Sequence, residues 1–160
     1  MTIRKTLIAA TLAIASGSVL AETQPLTFQV EAEVKNDTFL IQPQGDWHTT
    51  ATQLTWRPDL DKLEPVTKKV YVKSSIGAIS AYLDSAPRLS SGGNNVPLTI
   101  NLGDAEMGVG AANKVEIAAE ATAAFGTNVP LKIDAPTPTG GLKPGNYTGA
   151  VNLTFESLAP

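Results

Sequence analysis

Short runs in which every second residue is apolar, glycine- and proline-rich punctuation between them, and the absence of cysteine predict an all-β sandwich of immunoglobulin-like size, held by core burial without disulfides. The chain has 160 residues, one domain's worth. At 42% hydrophobic and 17% charged it is apolar enough to fold and too lightly charged for a disordered tail.

Residues 1–21 stand apart from that pattern. Arg4 and Lys5 precede an apolar run from Leu7 to Ala15, and Val19 and Ala21 are the small residues a cleavage site needs. The run is too short for a bilayer, which takes roughly 20 residues. The segment reads as a signal peptide cut before Glu22, so the remainder is expected to be exported. Its removal leaves 139 of the 160 residues and takes the net charge from −3 to −5, because Arg4 and Lys5 go and no acid does.

Leu26, Phe28, Val30, Ala32 and Val34 alternate with Thr27, Gln29, Glu31 and Glu33, a strict period of two. Strands are then expected at 38–42, 52–56 (stopped by Arg57-Pro58) and 66–72, where Val66, Val70 and Val72 are evenly spaced around Lys68 and Lys69. Further strands are expected at 79–83, 96–102, 114–118 and 129–133. The last run, 146–156, places Tyr147, Gly149, Val151, Leu153 and Phe155 on one face. Gly92-Gly93-Asn94-Asn95, Gly108-Val109-Gly110 and the span 136–145 are turn and loop chemistry. Residues 118–125 are alanine-rich, and propensity favours a helical turn or two there.

Catalytic and ligand chemistry is thin. A net charge of −3 and an isoelectric point near 5.1 argue against nucleic acid as a partner. With no cysteine and a single histidine, thiolate sites are excluded and a His-dependent triad has one possible base. Asp59, Asp61 and Glu64 are spaced closely enough to suggest calcium, but they lack the glycine and ligand series of an EF-hand and enclose Lys62; a solvated loop is the simpler reading. Asp46-Trp47-His48 suggests a sugar-stacking or pH-sensing spot, against which stands a surface turn with a partly buried tryptophan. Ser90-Ser91-Gly92-Gly93 lacks the spacing of a nucleophile elbow. No cofactor is implied, and the chain is not expected to be an enzyme.

The alternating runs at the two ends allow two arrangements. Both belong to one sandwich and pair within it, or the first leaves its own molecule and fills an edge beside 147–155 in another. The second needs an unfinished sheet, whose exposed backbone groups and apolar side chains a donated strand would cover.

The chain resembles the major pilins of CFA-type and cable-pilus fimbriae of the alternate chaperone–usher pathway. The resemblance is carried by Phe28-Gln-Val-Glu-Ala-Glu-Val34, Thr67-Lys-Lys-Val-Tyr-Val-Lys73, Val96-Pro-Leu-Thr-Ile-Asn-Leu102 and above all Pro144-Gly-Asn-Tyr-Thr-Gly-Ala-Val-Asn-Leu-Thr-Phe155. It implies an incomplete immunoglobulin-like β-sandwich completed by donor-strand exchange, with residues 22–36 as the donor extension and 37–160 as the pilin domain. Leu26, Phe28, Val30, Ala32 and Val34 would be the donor residues. Tyr147, Val151, Leu153 and Phe155 would line the acceptor groove and the chaperone contact. Where those pilins often carry Asp-Pro after the donor strand, this chain reads Lys35-Asn36-Asp37, so no proline hinge carries over. The implied partners are other copies of the chain, a periplasmic chaperone, an outer-membrane usher and a tip adhesin, with passage through the periplasm to a surface fimbria that supports adhesion. A tip subunit would be expected to carry a second domain, so the size favours a shaft subunit. The alternative is a self-contained secreted or periplasmic β-sandwich that binds carbohydrate through Trp47 and Trp56.

Overall fold

The structure, a computed structural model, describes residues 38–159. The expected signal peptide and the donor run 26–34 lie outside the described residues.

Among the described residues, twelve strands, a 3-10 turn at Ala111–Asn113 and one short α-helix follow in order. The first are β1 (Phe39–Pro43), β2 (Trp56–Arg57), β3 (Lys62–Leu63), β4 (Val66–Ser74) and β5 (Ile79–Leu83). Next come β6 (Arg88–Ser91), β7 (Asn94–Pro97), β8 (Thr99–Leu102), β9 (Ala105–Glu106) and β10 (Val115–Ala118). The helix α1 (Glu120–Phe125), β11 (Thr127–Asp134) and β12 (Leu153–Ser157) complete the chain. One sheet has the order β1-β4-β11-β8-β9 and the other β10-β5-β12, every pairing antiparallel. The pairs β2-β3 and β6-β7 form separate two-stranded ribbons.

Alternation explains why these segments face each other. Residues directly opposite in a ladder share a face, so Val129↔Val70, Leu131↔Leu102 and Ile133↔Ile100 stack inward from the larger sheet. Ile79, Ala81 and Leu83 project inward from β5, and all of these side chains are buried in one core. Ile79, Ile100, Leu102 and Val72 are fully enclosed, each contributing about 1.5–3 kcal/mol of transfer free energy.

The expected strand at 96–102 is two strands. Val96, Leu98, Ile100 and Leu102 are all buried, so the inward alternation is unbroken. The hydrogen-bond partner changes at Leu98: β7 pairs with β6, and β8 pairs with β11. Period two records which face is buried and carries no information about which strand lies alongside. The β6-β7 ribbon turns on Gly92 and Gly93, whose φ values of 53° and 89° suit a two-residue hairpin turn. Strand β6 itself was not expected, because Arg-Leu-Ser-Ser has one apolar residue.

Two further expectations are corrected. Within 52–56 only Trp56 enters a ladder; Thr52 and Leu54 are half-buried in extended chain with no strand beside them among the described residues. Within 146–156 only the end forms β12, and Thr148 makes an isolated bridge to Ser90. The alanine-rich stretch does form α1, ended by Gly126 at φ 83°, whose amide donates to the carbonyls of Thr122 and Ala123.

Truncating a fully enclosed core residue tests this architecture. Ile100→Ala is expected to cost about 2–5 kcal/mol, read as a lower urea midpoint by circular dichroism.

Candidate functional site

The two sheets meet differently on their two flanks. On one, β9 contacts β10. On the other, Ser74 at the end of β4 lies 2.5 Å, Oγ to Oγ, from Ser157 at the end of β12. Ser157 donates to the Gly77 carbonyl at 3.2 Å, which leaves Ser74 to donate to Ser157 while it accepts the Ile76 amide at 3.0 Å. A Cβ on Gly77 would collide with the Leu158 carbonyl, so glycine is what lets this clasp close. Since β1 pairs with β4, the strands β1 and β12 border the same flank.

Each of these two strands has a partner on one edge alone among the described residues. The paired edge of 148–157 is tightly held. It comprises the β5 ladder, the Asp84 amide donating to Asn152 O at 3.1 Å, and reciprocal amide bonds between Thr148 and Ser90 at 2.8 and 3.1 Å. A Cβ on Gly149 would strike the Arg88 carbonyl, so the close approach to β6 also needs glycine. Outward-facing side chains reinforce the hold: Thr154 Oγ1 donates to Asp84 Oδ1 at 2.6 Å, and Lys114 Nζ to Glu156 Oε2 at 2.9 Å.

The flank between β1 and β12 is apolar. Leu153 and Phe155 oppose Leu83 and Ala81 and therefore point inward, yet they are half-buried where their partners are sealed. Ile41 and Phe39 share the inward face of β1 with Val72 and Ser74; Ile41 is half-buried and Phe39 remains 41% exposed. Further along, a cleft of about 490 Å³ separates 51–54 from 145–149 and is lined by Leu54, Trp56, Leu63, Leu89 and Tyr147. The resulting seam has β1 and 51–56 on one wall and 145–157 on the other.

The structure thus places Tyr147 in the cleft, and Val151, Leu153 and Phe155 half-buried against the core. It adds a wall absent from the sequence reading: Phe39, Ile41, Leu54 and Trp56. For Leu54 and Trp56 the signal was present in the alternation of 52–56, which before Trp56 has no ladder among the described residues. Trp56 lines the cleft, whereas Trp47 packs against the core and meets His48 edge-on at 6.2 Å. Of the acids at 59–64, Asp59 and Glu64 turn to Arg57, which holds Asp59 through two nitrogens at 3.1 and 3.0 Å and stands 3.9 Å from Glu64. The hydrogen bond from Arg57 lowers the Asp59 carboxyl below its ordinary value.

The sequence model of the CS1 type fimbrial major subunit matches residues 24–156. The chain belongs to this family. It is a structural pilin of a surface fimbria, without enzymatic function, and it polymerises with copies of itself. Among solved structures the pilin is similar to the CooA pilin subunit from enterotoxigenic Escherichia coli, with a TM-score of 0.55 and 18% identity over 72% of this chain and 86% of that one. At that identity the likeness concerns the fold, and it agrees with the antiparallel architecture described above. No curated protein matches the pilin's sequence.

Replacing Gly149 with valine is expected to break the Thr148–Ser90 bridge by pushing against the Arg88 carbonyl. Hydrogen exchange at the Ser90 and Thr148 amides should accelerate, while the Val70 and Val129 amides at the sheet centre stay protected.

Proposed function

We propose that the pilin polymerises by donor-strand exchange: residues 26–34 of one copy lie along the free edge of β12 in the next. The observation that carries this reading is the seam, where two strand edges without a partner among the described residues and a row of half-buried apolar side chains share one flank. Leu26, Phe28, Val30, Ala32 and Val34 form one face of a strand of suitable length. Burial of the four large ones contributes on the order of 6–12 kcal/mol before ordering costs. Main-chain hydrogen bonds to β12 would set the register. Such a contact joins two different surfaces head to tail, so it propagates as an open filament. It is a mode of strand addition already known from chaperone–pilin complexes.

In this reading Tyr147, Val151, Leu153 and Phe155 line the acceptor groove opposite Phe39, Ile41 and Leu54. Residues 1–21 are removed on export, 22–36 form the donor extension, and 37–160 form the receiving domain. A chaperone in the periplasm covers the seam until an outer-membrane usher exchanges its strand for that of the next subunit, and a tip adhesin starts the polymer.

Deleting residues 26–34 is expected to abolish fimbriae, counted by electron microscopy on cells that express the full secretion system. Val30→Asp should do the same, because a carboxylate buried in an apolar groove costs several kcal/mol. Normal numbers of fimbriae from Val30→Asp would overturn the inward assignment of that residue. Normal numbers from the deletion would overturn strand exchange itself.

A further inference from the structure

Among the described residues seven large apolar side chains stay exposed, and all but Val109 sit at the two ends of the sandwich. Scattered exposure is ordinary for a soluble domain; confinement to two opposite ends is not. One end is that of the Ser74–Ser157 clasp. Phe39 and Leu40 lie there, opposite Ser74 and Lys73, and Leu158 follows Ser157. The helix α1 crosses at the same end: Ala118 before it pairs with Ile79, the partner of Ser157, and Thr127 after it pairs with Val72. Its Phe125 is 86% exposed, the least covered of the seven.

At the other end of β4, about 26 Å away along the strand, Val66 pairs with Ile133. The β2-β3 hairpin precedes Val66, and 135–147 follow β11. Thr137 Oγ1 donates to the Asp61 carbonyl at 3.0 Å, which ties the hairpin tip to that loop. Leu60 at the tip is 53% exposed. Between hairpin and loop, Trp56, Leu63, Leu142, Pro144 and Tyr147 line a pocket of about 370 Å³. It shares Trp56, Leu63 and Tyr147 with the cleft of the seam.

Chain length brings these two ends together between copies. Thr38 is fixed at the clasp end of its own molecule: its amide donates to Ser75 Oγ at 2.7 Å and its carbonyl accepts the Ser75 amide at 2.9 Å. Only Lys35-Asn36-Asp37 separates it from Val34, the last donor residue, a reach of at most about 14 Å even for extended chain. Had Val34 stopped at the clasp end of the receiving copy, each clasp end would crowd against those of both neighbours, and the polymer could not lengthen. An open filament seats Val34 at the hairpin end instead, and the clasp end of the donor copy follows it there.

We propose that the clasp end of one copy docks on the hairpin end of the next, with Leu40, Phe125 and Leu158 covered by Trp56, Leu60 and the pocket between hairpin and loop. The inference rests on the strand-exchange reading and adds a second contact between the same two copies. The donated strand holds neighbours together; the end-to-end contact sets the angle between them, which a three-residue tether alone leaves free.

Because the chain has no cysteine, a pair introduced as F125C and L60C reports on this contact alone. Fimbriae carrying both, treated with a short bis-maleimide and boiled in SDS, are expected to run as a ladder of covalent multimers, and either single variant as monomer. A ladder from F125C alone would put like ends together and overturn the inference. Monomer from the double variant would also overturn it, and would leave strand exchange standing where assembly still requires 26–34. F125S gives a readout free of cross-linking: its fimbriae should bend more sharply, seen as a shorter persistence length by electron microscopy. Wild-type stiffness would count against the docking. Fimbriae that persist after deletion of 26–34 would remove the strand-exchange reading, and this inference with it.

Discussion

The molecule is organised by the cost of leaving backbone amides, carbonyls and apolar side chains uncovered at the edge of a sheet. Within each sheet antiparallel pairing meets that cost strand by strand, and between the sheets interdigitation of Val72, Ile79, Ile100 and Leu102 meets it for the side chains. On the flank between β1 and β12 neither solution operates among the described residues. Leu153 and Phe155 point into the sandwich from its outermost strand, and Phe39 does so from the facing sheet, all with part of their surface uncovered. An edge of this kind is a template for another strand. In the strand-exchange reading proposed above, this flank is where one copy receives the next.

Such a joint needs a wall that does not yield. The elements that fix 148–157 all act from the side away from the seam: the β5 ladder, the Thr148–Ser90 exchange and the close approach at Gly149. The Ser74–Ser157 clasp then ties the end of β12 to the opposite sheet. The clasp uses the inward-facing Ser157 at the strand's end, whereas the other contacts engage the paired edge and hold the strand in place without consuming the groups that a neighbour would use. Buried serine hydroxyls would be costly in isolation, and here each has a partner.

Much of this was legible in the residue pattern. Strand 79–83 stands where alternation put it, the alanine-rich stretch is helical, and Tyr147, Val151, Leu153 and Phe155 share the inward face that their spacing implied. What failed did so for one reason. Alternation marks sidedness, so 96–102 looked like a single strand although its backbone changes partner at Leu98. Likewise 52–56 looked like a strand although its inward residues Thr52 and Leu54 border a cleft. Strand β6, with one apolar residue in four, had no pattern to detect. Half of the seam was missed for the same reason: Phe39, Ile41, Leu54 and Trp56 lie far from 147–155 in the chain, and nothing local announces that they face it.

Local order in this chain follows from its covalent sequence: the all-β class, the inward face of each run, the turn at Gly92-Gly93, and membership of a fimbrial family through motifs spread along the chain. Period-two patterning and turn stereochemistry are properties of neighbouring residues, so they need no fold to express them. The partner at each strand edge, the clasp between Ser74 and Ser157, and the flank left without a ladder were decided by the tertiary structure. Those features depend on residues tens of positions apart meeting in space, and hydrogen-bond pairing between them has no signature in either segment alone.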